Sequence, residues 1–176
     1  MNQELNQKID HFISKYHEQE ALLGFLKFLI ISLSLTFLIL ALEYLAHFNS
    51  SIRTVLFFAY ITMNAWVFGK EVLKPLGKRL GILKRLSEEN AARLIGSHFN
   101  EIDDSLLNTL QLSKQGQNNE LLEASISQKM NVIAPFNFRE AISTKELKKY
   151  FKVFLPVFGT ILLISFIQPA LIQDGT

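Results

Sequence analysis

Three long apolar stretches constrain this chain more than any other feature of its sequence. Residues 21–42 (ALLGFLKFLIISLSLTFLILAL) carry Lys27 as their only charge, and residues 54–69 (TVLFFAYITMNAWVFG) and 153–172 (VFLPVFGTILLISFIQPALI) carry none. A helix that crosses the hydrocarbon core of a bilayer needs about 20 mostly apolar residues. The sequence therefore predicts an all-α membrane protein, with three transmembrane helices and a small cytoplasmic helical insert between the second and the third.

Each of the first two stretches has an alternative interpretation. A cleaved signal peptide would begin with a short positive segment, whereas the residues before the first stretch mix acids with lysines. The second stretch is short, and a helix buried in a soluble core is its alternative. Because Arg53 and Lys70 can extend their charges to the interface, residues 52–72 still give an adequate span. The short turn between the two stretches favours an antiparallel membrane hairpin.

We expect four parts along the chain. They are a cytoplasmic polar leader (1–20), a transmembrane hairpin (21–72), a cytoplasmic helical insert (73–143) and a capped helix that runs into the third span (144–176). Lysine and arginine near span ends concentrate in the cytoplasm. They flank the insert on both sides, whereas the turn between the first two spans holds only Arg53. The N-terminus and residues 70–152 are therefore predicted to be cytoplasmic.

The third span ends near Ile172, just before the last residue of this sequence. A chain seldom crosses a membrane only to stop at once, so we expect this chain to be part of a longer protein with an extracytoplasmic portion. Pro156 and Pro169 are predicted to kink this span.

The start of the insert combines an apolar stripe with basic residues. Leucines recur at three- and four-residue spacing, which predicts an amphipathic helix: Leu73, Leu76, Leu80, Leu83 and Leu86. The cations between them are candidates for binding anionic headgroups: Lys74, Lys78, Arg79, Lys84 and Arg85. The alternative is a juxtamembrane helix with no lipid specificity, and Pro75, Gly77 and Gly81 argue against a continuous helix.

Three helices are predicted in the rest of the insert. Ser87 is a candidate N-cap with two acids after it, and further helices are expected over residues 101–112 and 120–132. The residues Ser143 and Glu146 form a capping box for the last helix. The apolar faces are candidates for binding a protein partner, with packing on one another as the alternative: Leu94, Ile95, Phe99, Leu106, Leu107 and Leu110.

Candidate chemistry is sparse. The chain has no cysteine, which excludes disulfides and thiolate ligands, and its net charge of +2 gives no argument for nucleic acid. His98, Glu101, Asp103 and Asp104 contain ligand-type atoms, but capping and solvation explain them, so no metal, cofactor or enzyme activity is expected. His11 and His17 are predicted to be solvated. Lys27 and Glu43 lie near span ends and are expected to extend to the interface.

Two segments of the insert resemble parts of a known family: residues 86–112 (LSEENAARLIGSHFNEIDDSLLNTLQL) and 121–143 (LLEASISQKMNVIAPFNFREAIS). Two predicted spans precede these segments and one follows them. The chain resembles the N-terminal region of large Bacteroidota membrane proteins, a family of unknown function whose members continue into a long extracytoplasmic portion. The resemblance implies a bacterial inner-membrane location and supplies no catalytic residues.

These observations predict a membrane anchor and assembly module that acts by protein–protein binding. The alternative is a small transport or channel subunit. A transport path needs polar residues between the spans, and the candidates are few: Ser32, Ser34, Thr62 and Asn64. Such residues more often hydrogen-bond a neighbouring helix.

Overall fold

The computed structural model describes residues 2–114 and 120–167, with side chains for residues 5–102, 105–112 and 124–163. All regular structure in these ranges is helical, which confirms the all-α prediction. The α-helices are α1 (Asn2–Ala46), α2 (Ser50–Phe68), α3 (Lys74–Arg79), α4 (Glu88–His98), α5 (Asp103–Lys114), α6 (Glu120–Ile133) and α7 (Lys145–Ile167). A π-helix (Gly69–Leu73) joins α2 to α3, and a 3₁₀ turn (Phe138–Ala141) precedes α7.

Two helices in the described part of the chain are long and apolar enough to cross a membrane, Leu5–Ala46 and Ser50–Arg79. In each, only 6% of the most apolar segment is buried within the protein. The core helix of a soluble protein would bury most of that surface, so the exposed apolar side chains favour a lipid environment. The predicted third span ends outside the described residues, and Pro169 also lies outside them. The third span and its kink at Pro169 therefore stay predictions.

The hairpin turn between α1 and α2 is set by two residues. His47 adopts a left-handed backbone conformation, with φ at 45°, which reverses the chain directly after α1. The side chain of Asn49 then caps α2 by accepting a 3.0 Å hydrogen bond from the Ile52 N–H. The short polar turn expected from the sequence is therefore an N-capped helix start.

The backbones of the two hairpin helices come very close near the other end. A Cβ atom built on Gly24 would lie 1.7 Å from the carbonyl oxygen of Glu71, which belongs to the π-helix. Only a residue without a side chain fits at this position. Small residues allow this kind of close approach between membrane helices.

By its contacts the chain divides into two units, and the first combines Met1–Glu18 with Lys78–Ser143. The start of α1 supplies apolar residues to its core at helical spacing: Leu5, Ile9, Phe12 and Ile13, each at most 3% exposed. They pack with residues of α4, α5 and α6. The structure thus places one face of the expected polar leader in the core of the insert.

The second unit contains Gln19–Gly77 and α7. Within it, Lys27 Nζ lies 5.0 Å from the centre of the Tyr150 ring, a cation–π contact between α1 and α7. Phe28 and Phe68 meet edge to face between the hairpin helices, with ring centres 5.2 Å apart.

The helices of the insert lie close to their predicted positions. The predicted helices 101–112 and 120–132 correspond to α5 and α6. Ser87 caps α4, its side chain accepting from the Asn90 N–H at 3.3 Å, as expected. The last helix begins at Lys145, one residue later than a cap at Ser143 would place it.

The predicted amphipathic helix ends early. Helical structure stops at Arg79, and Gly81 takes a left-handed conformation with φ at 76°. Residues 80–87 form a turn and an irregular loop up to the cap of α4. Glycine readily adopts the left-handed conformation that ends a helix. The leucines after Arg79 therefore lie in a loop and do not continue the helical stripe.

Candidate functional site

The predicted partner-binding residues divide between core and surface. Ile95, Leu106 and Leu110 are 0% exposed and belong to the core of the first unit, so this fold does not offer them to a partner. Phe99 and Leu107 are half-buried against the same core. Leu94 stays 39% exposed on α4. Packing on one another, the alternative given by the sequence, therefore describes most of these residues, and partner binding stays a prediction.

The predicted headgroup-binding cations lie on both sides of the end of α3. Lys74 is exposed within α3, and Lys84 and Arg85 are exposed in the loop that follows. Arg79 Nη2 lies 3.3 Å from Glu18 Oε2, on the first helix. A hydrogen bond from Lys15, with its charge and that of Arg79, lowers the pKa of the Glu18 carboxyl below its usual value. Arg79 is thus paired within the protein.

The loop after α3 carries exposed apolar side chains as well as charge. Leu80 is 73% exposed, Ile82 is 77% exposed and Leu83 is 43% exposed. They are contiguous with Lys84 and Arg85 along the chain. We call residues 80–85 the basic apolar loop. The sequence pattern named Leu80, Leu83 and the two cations but not Ile82, and it predicted a helix here.

A hydroxyl cluster links the two hairpin helices. The Tyr60 hydroxyl lies 2.9 Å from Thr36 Oγ1 and 3.4 Å from Ser32 Oγ, so α2 is hydrogen-bonded to α1. The Asn64 side chain donates to the Tyr60 carbonyl within α2 at 2.9 Å. Among the polar candidates for a transport path, Ser34 and Thr62 are exposed on the hairpin. The sequence missed Thr36 and Tyr60 as a pair because their contact depends on the alignment of the hairpin.

An ion pair lies at the turn end of the hairpin. Glu43 is 5% exposed, and its Oε1 lies 2.6 Å from Arg53 Nη2. Arg53 Nε also donates to the Phe48 carbonyl at 3.1 Å, which fixes the guanidinium over the turn. Glu43 therefore pairs with a neighbouring cation inside the protein, where the sequence predicted a side chain extended to the interface.

A cleft of about 370 Å³ runs from this ion pair to the hydroxyl cluster. Its walls are mostly apolar, and its lining residues are Thr36, Ile39, Leu40, Glu43, Arg53, Leu56, Phe57 and Tyr60. Small-molecule sites share this arrangement of apolar walls and a few polar groups. The cleft is the candidate cavity of the hairpin.

A second cleft, of about 340 Å³, lies in the first unit. Lys8 and His11 of α1 line it with Arg139 of the 3₁₀ turn, and three phenylalanines, Phe12, Phe136 and Phe138, complete its walls. The Arg139 Nε donates to His11 Nε2 at 3.0 Å, and Lys8 donates to the Ala134 carbonyl at 3.2 Å. His11 is exposed, as expected, but it serves as a hydrogen-bond acceptor.

His17 was predicted to be solvated, and this is wrong. The side chain is 2% exposed, and its Nε2 accepts a 3.1 Å hydrogen bond from the Leu86 N–H, just before the α4 cap.

The described residues contain no group of three His, Asp or Glu side chains that could hold a metal ion. The side chains of Asp103 and Asp104, named with His98 and Glu101 as ligand-type residues, lie outside the described set.

No family model, curated protein or solved structure matches this chain.

Proposed function

We propose that this chain is a membrane anchor and assembly module. In this proposal the hairpin of α1 and α2 holds the protein in a bacterial inner membrane, and the first unit binds a protein partner in the cytoplasm. One observation supports the proposal: the same chain contains a hairpin with exposed apolar side chains and a separate helical unit with its own core.

One exposed side chain of the first unit indicates where the partner binds. Leu94 is the exposed member of the predicted partner-binding set, while its neighbours Ala91, Ala92 and Ile95 hold α4 on the core. A partner that covers the Leu94 side chain would remove apolar surface from water without disturbing the core. We therefore centre the partner site on the outer face of α4.

The rest of the proposal concerns the membrane arrangement. Three spans, a cytoplasmic insert, continuation into a larger extracytoplasmic portion and membership of the Bacteroidota family all belong to it. The two apolar helices and the concentration of lysine and arginine beside the spans support it. Anionic lipid headgroups are proposed as further partners of the cations near α3.

Site-specific photo-cross-linking tests the partner site. A photoreactive residue at Leu94, in cells that express the full chain, is expected to give a discrete cross-linked species. The matched control is the exposed Arg93, about 1.5 Å along α4 from Leu94 and about 100° around the helix. Leu94→Glu is expected to abolish co-purification of the cross-linked partner, whereas Arg93→Glu leaves it in place.

Membrane insertion is checked in the same samples by resistance to alkaline extraction. Equal cross-linking at both positions, or none at either in inserted protein, would contradict an assembly site on α4. Leu106→Glu is unsuitable as a test because Leu106 is fully buried, and a charge there would unfold the unit.

A transport or channel subunit is the second candidate, and the hairpin cleft favours it. The cleft joins a buried carboxylate to a hydroxyl cluster within a membrane segment. Glu43→Gln, at the carboxylate that lines the cleft, is expected to abolish solute or ion flux in reconstituted vesicles, with normal insertion, if the hairpin conducts. Unchanged flux would remove this candidate.

A further inference from the structure

The basic apolar loop exposes three large apolar side chains to water. Leu80 and Ile82 are both more than two-thirds exposed, and Leu83 adds a third large side chain. Neighbouring exposed apolar residues of this size mark a contact surface, because water disfavours them. The described part of the first unit provides no cover for them.

The loop begins where the chain leaves the membrane hairpin. Its first residue directly follows Arg79, the last residue of the helix that starts at Ser50. Arg79 is paired with Glu18, which precedes the first apolar stretch by three residues, or about 4.5 Å along a helix. The loop therefore begins directly after one proposed span, and Arg79 before it pairs with a residue that lies just before the other span in sequence.

The charges of the loop fit an anionic surface. Lys84 and Arg85 are exposed and follow the apolar residues directly, so cations and apolar groups occupy one short segment. Interfacial segments combine these two features, with apolar side chains at the headgroup–acyl boundary and cations at the phosphates.

We propose that the basic apolar loop is an interfacial membrane anchor. Leu80, Ile82 and Leu83 insert at the headgroup–acyl boundary, and Lys84 and Arg85 bind the phosphates of anionic lipids. The proposal rests on the membrane hairpin of the proposed function, and it assigns the loop a lipid-binding role that the hairpin does not supply.

The absence of cysteine allows single-site fluorescence labelling in the full chain. Ile82→Cys carries an environment-sensitive dye in nanodiscs of phosphatidylcholine and phosphatidylglycerol, and spin-labelled lipids quench it. The expected result is quenching at least threefold stronger than for a dye at Ser97→Cys, an exposed polar position on α4. Equal quenching at the two positions would overturn the proposal.

Two further variants separate the parts of the proposal. A dye at Leu38→Cys, in the apolar part of α1, reports insertion of the hairpin itself. Strong quenching there with none at Ile82 overturns the loop anchor alone, whereas no quenching at Leu38 overturns the membrane hairpin as well. The pair Lys84→Gln and Arg85→Gln is expected to lower quenching at Ile82 in anionic nanodiscs to the level in phosphatidylcholine alone. Unchanged quenching would exclude the role of the cations.

Discussion

His17 illustrates how much one buried polar side chain determines at the residue scale. Its Nε2 accepts the Leu86 N–H from a segment 69 positions away, directly before the residue that caps α4. This hydrogen bond is partly buried, and a buried backbone donor without an acceptor costs free energy. The histidine thus fixes the entry of the loop into α4.

Replacing His17 by leucine is expected to destabilise the first unit by about 1–3 kcal/mol, because the Leu86 N–H loses its acceptor. Pulse proteolysis of the full chain in nanodiscs, over a urea series, measures the change. His98→Gln is the control, since His98 is exposed. An effect of His17→Leu no larger than that of His98→Gln would show that the hydrogen bond is unimportant.

The burial of His17 could not be predicted from the sequence, although part of its setting could. Leu5, Ile9, Phe12 and Ile13 recur at helical spacing, and this signal alone indicates an amphipathic start to α1. The partner of that face lies beyond both hairpin helices, and neither periodicity nor composition identifies a contact so distant in sequence. For the same reason the Arg139–His11 contact was missed.

At the scale of elements, the hairpin depends on one close backbone approach. Gly24 faces the carbonyl of Glu71 in the π-helix, where any Cβ would clash with backbone atoms. π-Helices are rare and occur mostly as single turns within α-helices, frequently at functional sites. The contact fixes the position of α2 along α1, and with it the alignment of Tyr60 with Thr36.

Gly24→Ala is therefore expected to separate the helices and weaken the hairpin by about 1–3 kcal/mol, as overpacking typically does. Gly69→Ala is the matched control, because a Cβ there has nothing within 4 Å. Denaturation by sodium dodecyl sulfate in detergent micelles, followed by helix content, measures both. Equal stability of the two variants would contradict the close approach.

Elements were predicted better than their contacts. The apolar spans and the helices α4, α5 and α6 follow from periodicity and capping residues, which act locally. The stop at Arg79 was signalled by Gly81, yet the leucine spacing outweighed it in the helix prediction. Most residues of the predicted partner surface are buried in the core, and Leu94 is exposed. The sequence could not distinguish these cases, because a helical pattern does not show which apolar face packs against another helix.

On the scale of the whole molecule, the first unit constrains topology. Its core joins residues from before the hairpin to residues after it. Segments that share a core must lie on the same side of a membrane, and a hairpin of two spans meets that condition. The shared core constrains topology independently of the distribution of lysine and arginine.

Single cysteines at Asn6, Ser51 and Ser97 test this arrangement with a membrane-impermeant maleimide. Ser51→Cys, beside the hairpin turn, is expected to react in intact spheroplasts, whereas Asn6→Cys and Ser97→Cys react only after permeabilisation. Reaction of Asn6 and Ser97 on opposite sides would contradict the shared core. Reaction of both from outside would contradict only the predicted cytoplasmic orientation.

The shared core also sets an order of events during synthesis. The apolar face of Leu5, Ile9 and Phe12 leaves the ribosome first, but the helices that cover it follow only after both hairpin helices. At about 5–20 residues per second, that delay is on the order of ten seconds. During this interval the face has no native partner, so the first unit cannot complete its core until both hairpin helices have been synthesised.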